Sequence, residues 1–220
     1  QAEDALWDMM GLETDSFMDR NFNRPLGRLA SKLLIHTRIS PNQISLLATS
    51  VGVFAAWCFT RGLPHWMVLG AILLQLSAVI DCVDGDIARM LHKETSTGKW
   101  LDTGGDQLVH LCLFAGIGVG LYQMNDASGP TLWLGLAAAL GVVLSFITIL
   151  REEQGETPHP RLRQLMDKAA NRDYSVILLV LTIVNQVEWF LWMAVLAIHS
   201  FWMLGAWLRR QDELDDKADA

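Results

Sequence analysis

The chain has 220 residues, of which 51% are hydrophobic and only 19% are charged, and its mean hydropathy is +0.26. Soluble domains contain about 45–50% apolar and about 25% charged residues, so this composition excludes an ordinary soluble domain and a disordered chain. The net charge of −7 resides in the two ends, because residues 1–19 and 211–220 are strongly acidic. The sequence therefore predicts a polytopic membrane protein, without the clustered basic residues that bind nucleic acid.

The first predicted element is an amphipathic helix that precedes the first membrane span. Four basic residues recur every four positions, and four apolar residues form a second stripe at helical spacing. The basic stripe is Arg20, Arg24, Arg28 and Lys32, and the apolar stripe is Phe22, Leu26, Leu29 and Leu33. We expect residues 1–36 to form an acidic segment followed by this interfacial helix, whose basic stripe meets anionic headgroups. A soluble linker helix that packs on a further domain is the alternative.

Long apolar segments make up most of the remaining chain. About 20 apolar residues cross a hydrocarbon core of about 30 Å. Such segments lie at Asn42–Thr60, Trp66–Leu91, Trp100–Tyr122, Thr131–Leu150 and Ser175–Trp207. The last is too long for one span, and its polar residues 185–188 divide it into two helices joined by a tight turn. We therefore expect an all-α integral membrane fold, with six transmembrane helices over residues 37–210 and an acidic cytoplasmic tail over residues 211–220.

The basic residues favour one orientation of these six spans. Sixteen of the seventeen Lys and Arg residues fall on one side of the membrane, and Arg61 is the exception. Because cytoplasmic loops are rich in Lys and Arg, both termini are expected in the cytoplasm. The loop over residues 151–173 contains four arginines that could receive a substrate phosphate, although topology alone would also place them there: Arg151, Arg161, Arg163 and Arg172.

Four carboxylates lie inside two consecutive predicted helices, where each charge costs at least about 2.5–3.5 kcal/mol on insertion scales. The second span ends in DCVDGDIAR (residues 81–89), and the third begins with GKWLDTGGD (residues 98–106). At about 100° per residue, each helix places its functional side chains on one face. These faces contain Asp81, Asp84, Gly85 and Ala88 on one helix and Gly98, Asp102 and Asp106 on the other. Asp86 points elsewhere, and its replacement is expected to be mild.

Carboxylates that face each other cannot all ionise unless positive charge lies between them. Magnesium ions take one or two carboxylates each and bind substrate phosphates, and a pair of them can hold both oxygens of a displacement at phosphorus. The small residues on the same faces leave space for a bulky ligand, and Arg89 offers a planar donor fork for phosphate oxygens. The residues indicate a metal-dependent diphosphate site at the cytoplasmic ends of helices 1 to 3.

Two other interpretations of the carboxylates remain. An intramembrane ion-pair network would depend on Arg89, Lys93 and Lys99, which are few and lie toward the loop. A cation or proton transporter also uses membrane carboxylates, but it would place them near the midplane on broken helices from internal repeats.

The motif Asp81-x-x-Asp84-Gly85-x-x-Ala88-Arg89, followed after eight residues by Gly98-x-x-x-Asp102-x-x-x-Asp106, resembles the complete motif of the CDP-alcohol phosphotransferase (CDP-alcohol phosphatidyltransferase) family. Pro41-Asn42 is also similar to the start of that family's first helix. The resemblance implies transfer from a CDP-linked alcohol donor to a hydroxyl acceptor with release of CMP, in phospholipid or polar phosphodiester synthesis. It also implies two divalent cations, Mg²⁺ or Mn²⁺, and a membrane homodimer.

The resemblance further implies a role for each residue of the motif. The metal ligands would be Asp81, Asp84, Asp102 and Asp106. Asp106 would also be the catalytic base that takes the proton of the acceptor hydroxyl. The CDP pocket would be lined by Gly85, Ala88, Arg89 and Gly98. Residues 15–45 are similar to a junction in members fused behind a nucleotidyltransferase, so a fused or separate nucleotidyltransferase is an expected partner.

Overall fold

The computed structural model describes residues 17–37, 39–91, 95–153 and 173–218, and helices make up most of these residues. A π-helical turn at Asp19–Asn23 leads into α1 (Arg24–Leu34). Six helices follow: α2 (Pro41–Thr60), α3 (Pro64–Met90), α4 (Ser96–Met124), α5 (Thr131–Glu153), α6 (Tyr174–Ile183) and α7 (Val187–Ala218). The expected all-α fold is confirmed for the described residues, and residues 1–16 of the acidic segment lie outside them.

Five helices, α2 to α5 and α7, are long and apolar enough to cross a membrane. The predicted bounds of the first four spans agree with α2 to α5 to within about four residues. The predicted division of the last apolar segment is also confirmed, because α6 ends at Ile183 and α7 begins at Val187. Asn185 makes the turn between them with a φ of 57°, a left-handed conformation that Asn adopts more readily than most residues.

α6 is the element that departs from the predicted six spans. It has 10 residues and is therefore about 15 Å long, half the thickness of a hydrocarbon core. The described residues thus contain five helices of spanning length and one short apolar helix, and the sixth crossing stays a prediction.

α2 organises the part of the fold that bears the motif. It packs along both α3 and α4, and the described residues show no comparably extensive packing between α3 and α4 themselves. Gly116 and Gly120 of α4 allow the close approach to α2, because a Cβ at either position would collide with the backbone at Ala56 and Phe59. The ends of α3 and α4 that carry the motif therefore lie on either side of the start of α2.

α1 packs on α3 through small and polar residues. Gly27 lies against Cys82, where an added Cβ would come within 3.2 Å of the Cys82 Cβ, and Ser31 is fully buried on the same face. Next to α1, Gln75 donates from Nε2 to Asn23 Oδ1 (2.5 Å) and accepts from Ser175 Oγ (2.7 Å). This buried chain of hydrogen bonds connects the π-helical turn before α1 to α3 and α6.

The surface of α1 corrects one part of the predicted amphipathic pattern. The apolar stripe from Phe22 to Leu33 is exposed, as expected of a helix that faces lipid. Arg24, however, is only 8% exposed and points into the protein instead of toward headgroups. The predicted pattern had an apolar stripe and a basic stripe, but α1 has a third face, which packs on α3. The sequence of a single helix does not reveal such a packing face.

Candidate active site

Three of the four motif carboxylates come together between α3 and α4. One ligand oxygen from each of Asp81, Asp84 and Asp102 lies within 4.8 Å of the others. Asp81 and Asp84 are three residues apart on α3 and so share a face, while Asp102 reaches the group from the first turns of α4. Asp84 is buried, and the other two are partly exposed. Three hard oxygen donors at this separation are a donor set suited to a divalent cation.

A cleft with a volume of about 510 Å³ opens beside this cluster, between the start of α2, the end of α3 and the start of α4. All four residues predicted for the CDP pocket line it, together with Asp84 and Asp102. Among the described residues, the lining consists of Pro41, Asn42, Ser45, Asp84, Gly85, Ala88, Arg89, Thr95, Ser96, Gly98, Lys99 and Asp102. The cleft therefore joins the predicted nucleotide residues to the carboxylate cluster in one space.

The two glycines of the motif are needed for different structural reasons. The guanidinium of Arg89 lies over Gly85, where an added Cβ would be 3.3 Å from Nη2. A Cβ on Gly98 would be 3.1 Å from the side-chain oxygens of Asn42 and Thr95. Gly85 thus makes room for the arginine, and Gly98 lets the start of α4 approach the start of α2.

The lining of the cleft carries both signs of charge. α3 contributes Asp84 and Arg89, and α4 contributes Asp102 and Lys99. The first turn of α4 adds backbone N–H groups, which have no carbonyl partner within a helix, and the Thr95 side chain accepts the bond from the Gly98 N–H at 3.0 Å. An anion such as a diphosphate could therefore contact cationic side chains and a helix N-terminus in the same cleft in which the carboxylates could hold cations.

Ser45 is a site residue that the sequence analysis missed. It lies one turn into α2, lines the cleft and donates a hydrogen bond from Oγ to Asp84 Oδ2. This bond fixes the orientation of the buried carboxylate, as outer hydrogen bonds commonly do for metal-binding carboxylates. A polar residue four positions after Pro41 was the available signal, but the partner lies 39 residues away and cannot be inferred from spacing.

Asp106 lies one helical turn beyond Asp102 on the predicted stripe of α4 and is partly exposed. It belongs neither to the group of three clustered carboxylates nor to the cleft lining. One turn later on the same stripe, His110 Nε2 forms a 2.6 Å hydrogen bond with the hydroxyl of Tyr174 at the start of α6. The roles predicted for Asp106 as a ligand and as a base stay predictions.

Asp86 points away from the cluster, as predicted, but its environment corrects the expectation that its replacement is mild. The side chain is 1% exposed and forms ion pairs with Arg24 Nη1 (3.1 Å) and Arg89 Nη2 (2.9 Å). Removing one partner of a buried ion pair typically costs about 3–5 kcal/mol. The ion-pair interpretation that we considered for all four motif carboxylates therefore applies to Asp86, which lies outside the motif.

The two ion pairs of Asp86 could be predicted from the sequence only in part. Asp86 and Arg89 are three residues apart on one helix, a spacing at which opposite charges pair, so this contact was predictable. Arg24 lies 62 residues from Asp86 and depends on how α1 packs. Lys93 and the loop arginines Arg161, Arg163 and Arg172 lie outside the described residues.

Comparison with known proteins agrees with the motif. The sequence profile of the family described as CDP-alcohol phosphatidyltransferase matches residues 38–202. A bifunctional IPC transferase and DIPP synthase of Archaeoglobus fulgidus is 28% identical over 184 residues, which cover 81% of this chain and 35% of that protein. A phosphatidylinositol phosphate synthase of Corynebacterium glutamicum is 29% identical over 128 residues, which cover 58% of each chain.

The solved structure of an apo phosphatidylinositol phosphate synthase from Mycobacterium tuberculosis shares the fold. It superposes with a TM-score of 0.57 at 19% identity, over 81% of this chain and 95% of that one. This chain matches between 24% and 38% of the length of the relatives named bifunctional IPC transferase and DIPP synthase.

Proposed function

The chain belongs to the CDP-alcohol phosphatidyltransferase family, a family of membrane transferases, and on this premise we propose that it transfers a phosphoalcohol group from a CDP-linked donor to a hydroxyl acceptor and releases CMP. The observation that carries the proposal is the cluster of three carboxylates, two of which, Asp84 and Asp102, line a cleft together with the residues predicted for the CDP pocket. The family match and the five apolar helices indicate an integral membrane protein. A cation or proton transporter finds no support in these relatives.

Divalent cations fit the residues that are present. Carboxylate oxygens are the ligands that Mg²⁺ and Mn²⁺ prefer, and the three clustered aspartates come from two different helices around one point. We propose that Asp81, Asp84 and Asp102 hold two such cations, with Asp106 as a further ligand. When bound, the cations would offset negative charge on the phosphate oxygens.

The side chains of the cleft would carry the remaining steps. Arg89 would bind diphosphate oxygens through its planar fork, and the space beside Gly85, Ala88 and Gly98 would admit the CDP moiety. Asp106 would take the proton of the acceptor hydroxyl as that oxygen attacks the β-phosphorus. The new oxygen–phosphorus bond replaces the bond to CMP, which leaves.

We propose inositol phosphate as the acceptor, because the Corynebacterium glutamicum and Mycobacterium tuberculosis relatives are named for phosphatidylinositol phosphate. The test is CMP release by the purified protein with one CDP-diacylglycerol donor and one soluble CDP-alcohol donor. Inositol phosphate, glycerol phosphate, a choline-like alcohol and a second phospholipid are supplied in turn as acceptors. Preference for another acceptor would contradict the inositol phosphate assignment and leave the reaction class intact.

Removing divalent cations should abolish this CMP release, and adding Mg²⁺ or Mn²⁺ should restore it. The reason is that clustered carboxylates without cations repel one another and the diphosphate alike. The measurement is the initial rate of CMP release in excess chelator, followed by titration with each metal. Full activity in excess chelator would contradict the metal site, and cation flux through proteoliposomes without nucleotide chemistry would favour a transporter.

We further propose that both termini face the cytoplasm and that α1 lies in the headgroup region of that leaflet. Support comes from the distribution of Lys and Arg and from the exposed apolar side chains of α1. The partners proposed are a second copy of the chain and a nucleotidyltransferase, fused or separate, that supplies the CDP-linked donor. The greater length of the relatives named bifunctional supports the latter.

The position of α1 should depend on lipid charge through Arg20, Arg28 and Lys32. Each base near an anionic surface contributes about 1 kcal/mol, and this contribution fades beyond a Debye length of about 8 Å. Spin labels at Leu29 and Leu33 should report headgroup depth in anionic bilayers and a shallower position in high salt. Replacing the three bases with Gln should reproduce the shallow position, whereas labels that are indifferent to lipid charge would indicate a tethering helix.

A further inference from the structure

Asp86 connects α1 to the cleft through two arginines. Arg24 of α1 and Arg89 of α3 both donate to the same carboxylate oxygen, Oδ1, at 3.1 and 2.9 Å. The side chains of Asp86 and Arg24 are 1% and 9% exposed, whereas that of Arg89 is 27% exposed and lines the cleft. Of the three charged groups, Arg89 is thus the one that a ligand can reach.

The geometry explains how Asp86 can set the position of Arg89. Long side chains on a helix lean toward its N-terminus, which brings the Arg89 guanidinium over Gly85. Asp86 is the next residue after Gly85, and its bond to Nη2 holds the guanidinium at that place. Without this bond, the flexible arginine would lose a fixed orientation toward the cleft, and a ligand would have to restore it.

The charges of the three groups give Arg24 a separate role. A carboxylate that held Arg89 alone would cancel the charge that Arg89 offers to a ligand. With Arg24 on the same oxygen, the three side chains together keep one net positive charge. The arrangement can therefore orient Arg89 without neutralising it.

We propose that Asp86 is a positioning residue for Arg89 in donor binding, and that Arg24 supplies the charge that leaves Arg89 free to bind the diphosphate of the donor. Affinity for the donor then depends on the packing of α1 on α3, although α1 precedes the family motif in the sequence. This inference rests on the proposed function, because it assumes that Arg89 contacts the donor.

The kinetics of CMP release by the Asp86→Asn variant distinguish a role of Asp86 in positioning Arg89 from an effect of its charge alone. Asp86→Asn adds a net positive charge near the cleft, so charge alone would lower the donor KM. The proposal expects the donor KM to rise about tenfold or more, the size of a lost bond between charged groups, with kcat within about threefold of wild type. Arg24→Gln should also raise the donor KM, and more so at low salt, because it removes the compensating charge.

A double-mutant cycle tests whether Asp86 acts through Arg89. Arg89→Gln should raise the donor KM, and adding Asp86→Asn to it should cause little further change, because the group to be positioned is already absent. Gln75→Leu is the matched control. It removes the buried hydrogen bonds of Gln75 with Asn23, in the turn before α1, and with Ser175 of α6, about 16 Å along α3 from Asp86. It should therefore lower thermal stability and leave the donor KM within about twofold.

Each outcome of this set has a distinct meaning. Additive effects of Asp86→Asn and Arg89→Gln, or a fall in stability with an unchanged donor KM, would overturn the positioning role. An equal rise in KM with Gln75→Leu would assign the effect of Arg24 to packing of α1 and overturn its charge role. If Asp86→Asn fails to accumulate, Arg24→Gln and its cycle with Arg89→Gln still decide the matter. An Arg89→Gln variant with normal donor KM would instead contradict the proposed donor site.

Discussion

Replacing Asp106 with Asn is expected to lower the turnover number for CMP release by about 10²–10⁴-fold while binding of the CDP-linked donor survives. The amide has nearly the same shape as the carboxylate, but it cannot take the proton of the acceptor hydroxyl. Asp106 lies outside the cleft lining and outside the group formed by Asp81, Asp84 and Asp102, so the donor pocket should be intact in the variant. Turnover and equilibrium donor binding, measured on the same preparation, check this expectation.

Asp126→Asn provides a matched control for this change. Asp126 is an exposed residue in the turn after α4, at the opposite end of that helix from the cleft. Its φ is 53°, a conformation that Asn tolerates well, so the same chemical change should leave turnover unaffected. A joint loss of turnover and donor affinity in Asp106→Asn would show that Asp106 acts mainly as a metal ligand.

The helices were predictable from the sequence because lipid imposes a strong local constraint. Every backbone polar group in hydrocarbon must be bonded within its own segment, so apolar segments of sufficient length become helices. This constraint gave the bounds of α2 to α5 and the break at Asn185. It says less about α6, since a segment of 10 residues can be buried among other helices without crossing the membrane.

The clustering of Asp81, Asp84 and Asp102 was predictable to a similar degree. Helical periodicity puts residues three and four apart on one face, and two such faces on consecutive helices meet if the helices lie close together. The interposition of α2 was not predictable from periodicity. It creates the cleft, because glycines such as Gly116 let α4 approach α2 closely, and it brings Ser45 of α2 to Asp84 of α3.

Helical periodicity does not predict contacts between residues that are far apart in sequence. Arg24 has the same four-residue spacing as its basic neighbours, so spacing alone does not indicate that it is the buried member of the stripe. Its burial follows from Gly27 and Ser31, which let α1 pack against α3 and carry Arg24 to Asp86. A buried carboxylate such as Asp86 needs a compensating cation, and this need is the physical reason for the contact.

The last prediction concerns Asp84, the buried member of the cluster, and the hydroxyl that orients it. Asp84→Asn should raise the Mg²⁺ concentration for half-maximal CMP release by more than about 100-fold, because it removes a ligand charge. Ser45→Ala should raise that concentration by about 10–100-fold, the usual effect of losing an outer hydrogen bond to a ligand. Donor affinity should fall with metal affinity in both variants, and Asp126→Asn again serves as the control.

The response of these variants to Mg²⁺ and to heat distinguishes a metal-binding role of Asp84 from a purely structural role. If Asp84 only stabilised the fold, excess Mg²⁺ would restore neither variant, and both would unfold at lower temperature. If Asp84 is a ligand that Ser45 orients, high Mg²⁺ rescues Ser45→Ala fully and Asp84→Asn in part. Ser45→Ala should also have little further effect in the Asp84→Asn background, because the carboxylate that it orients is absent. A normal Mg²⁺ requirement in Asp84→Asn would contradict the assignment of Asp84 to the metal site.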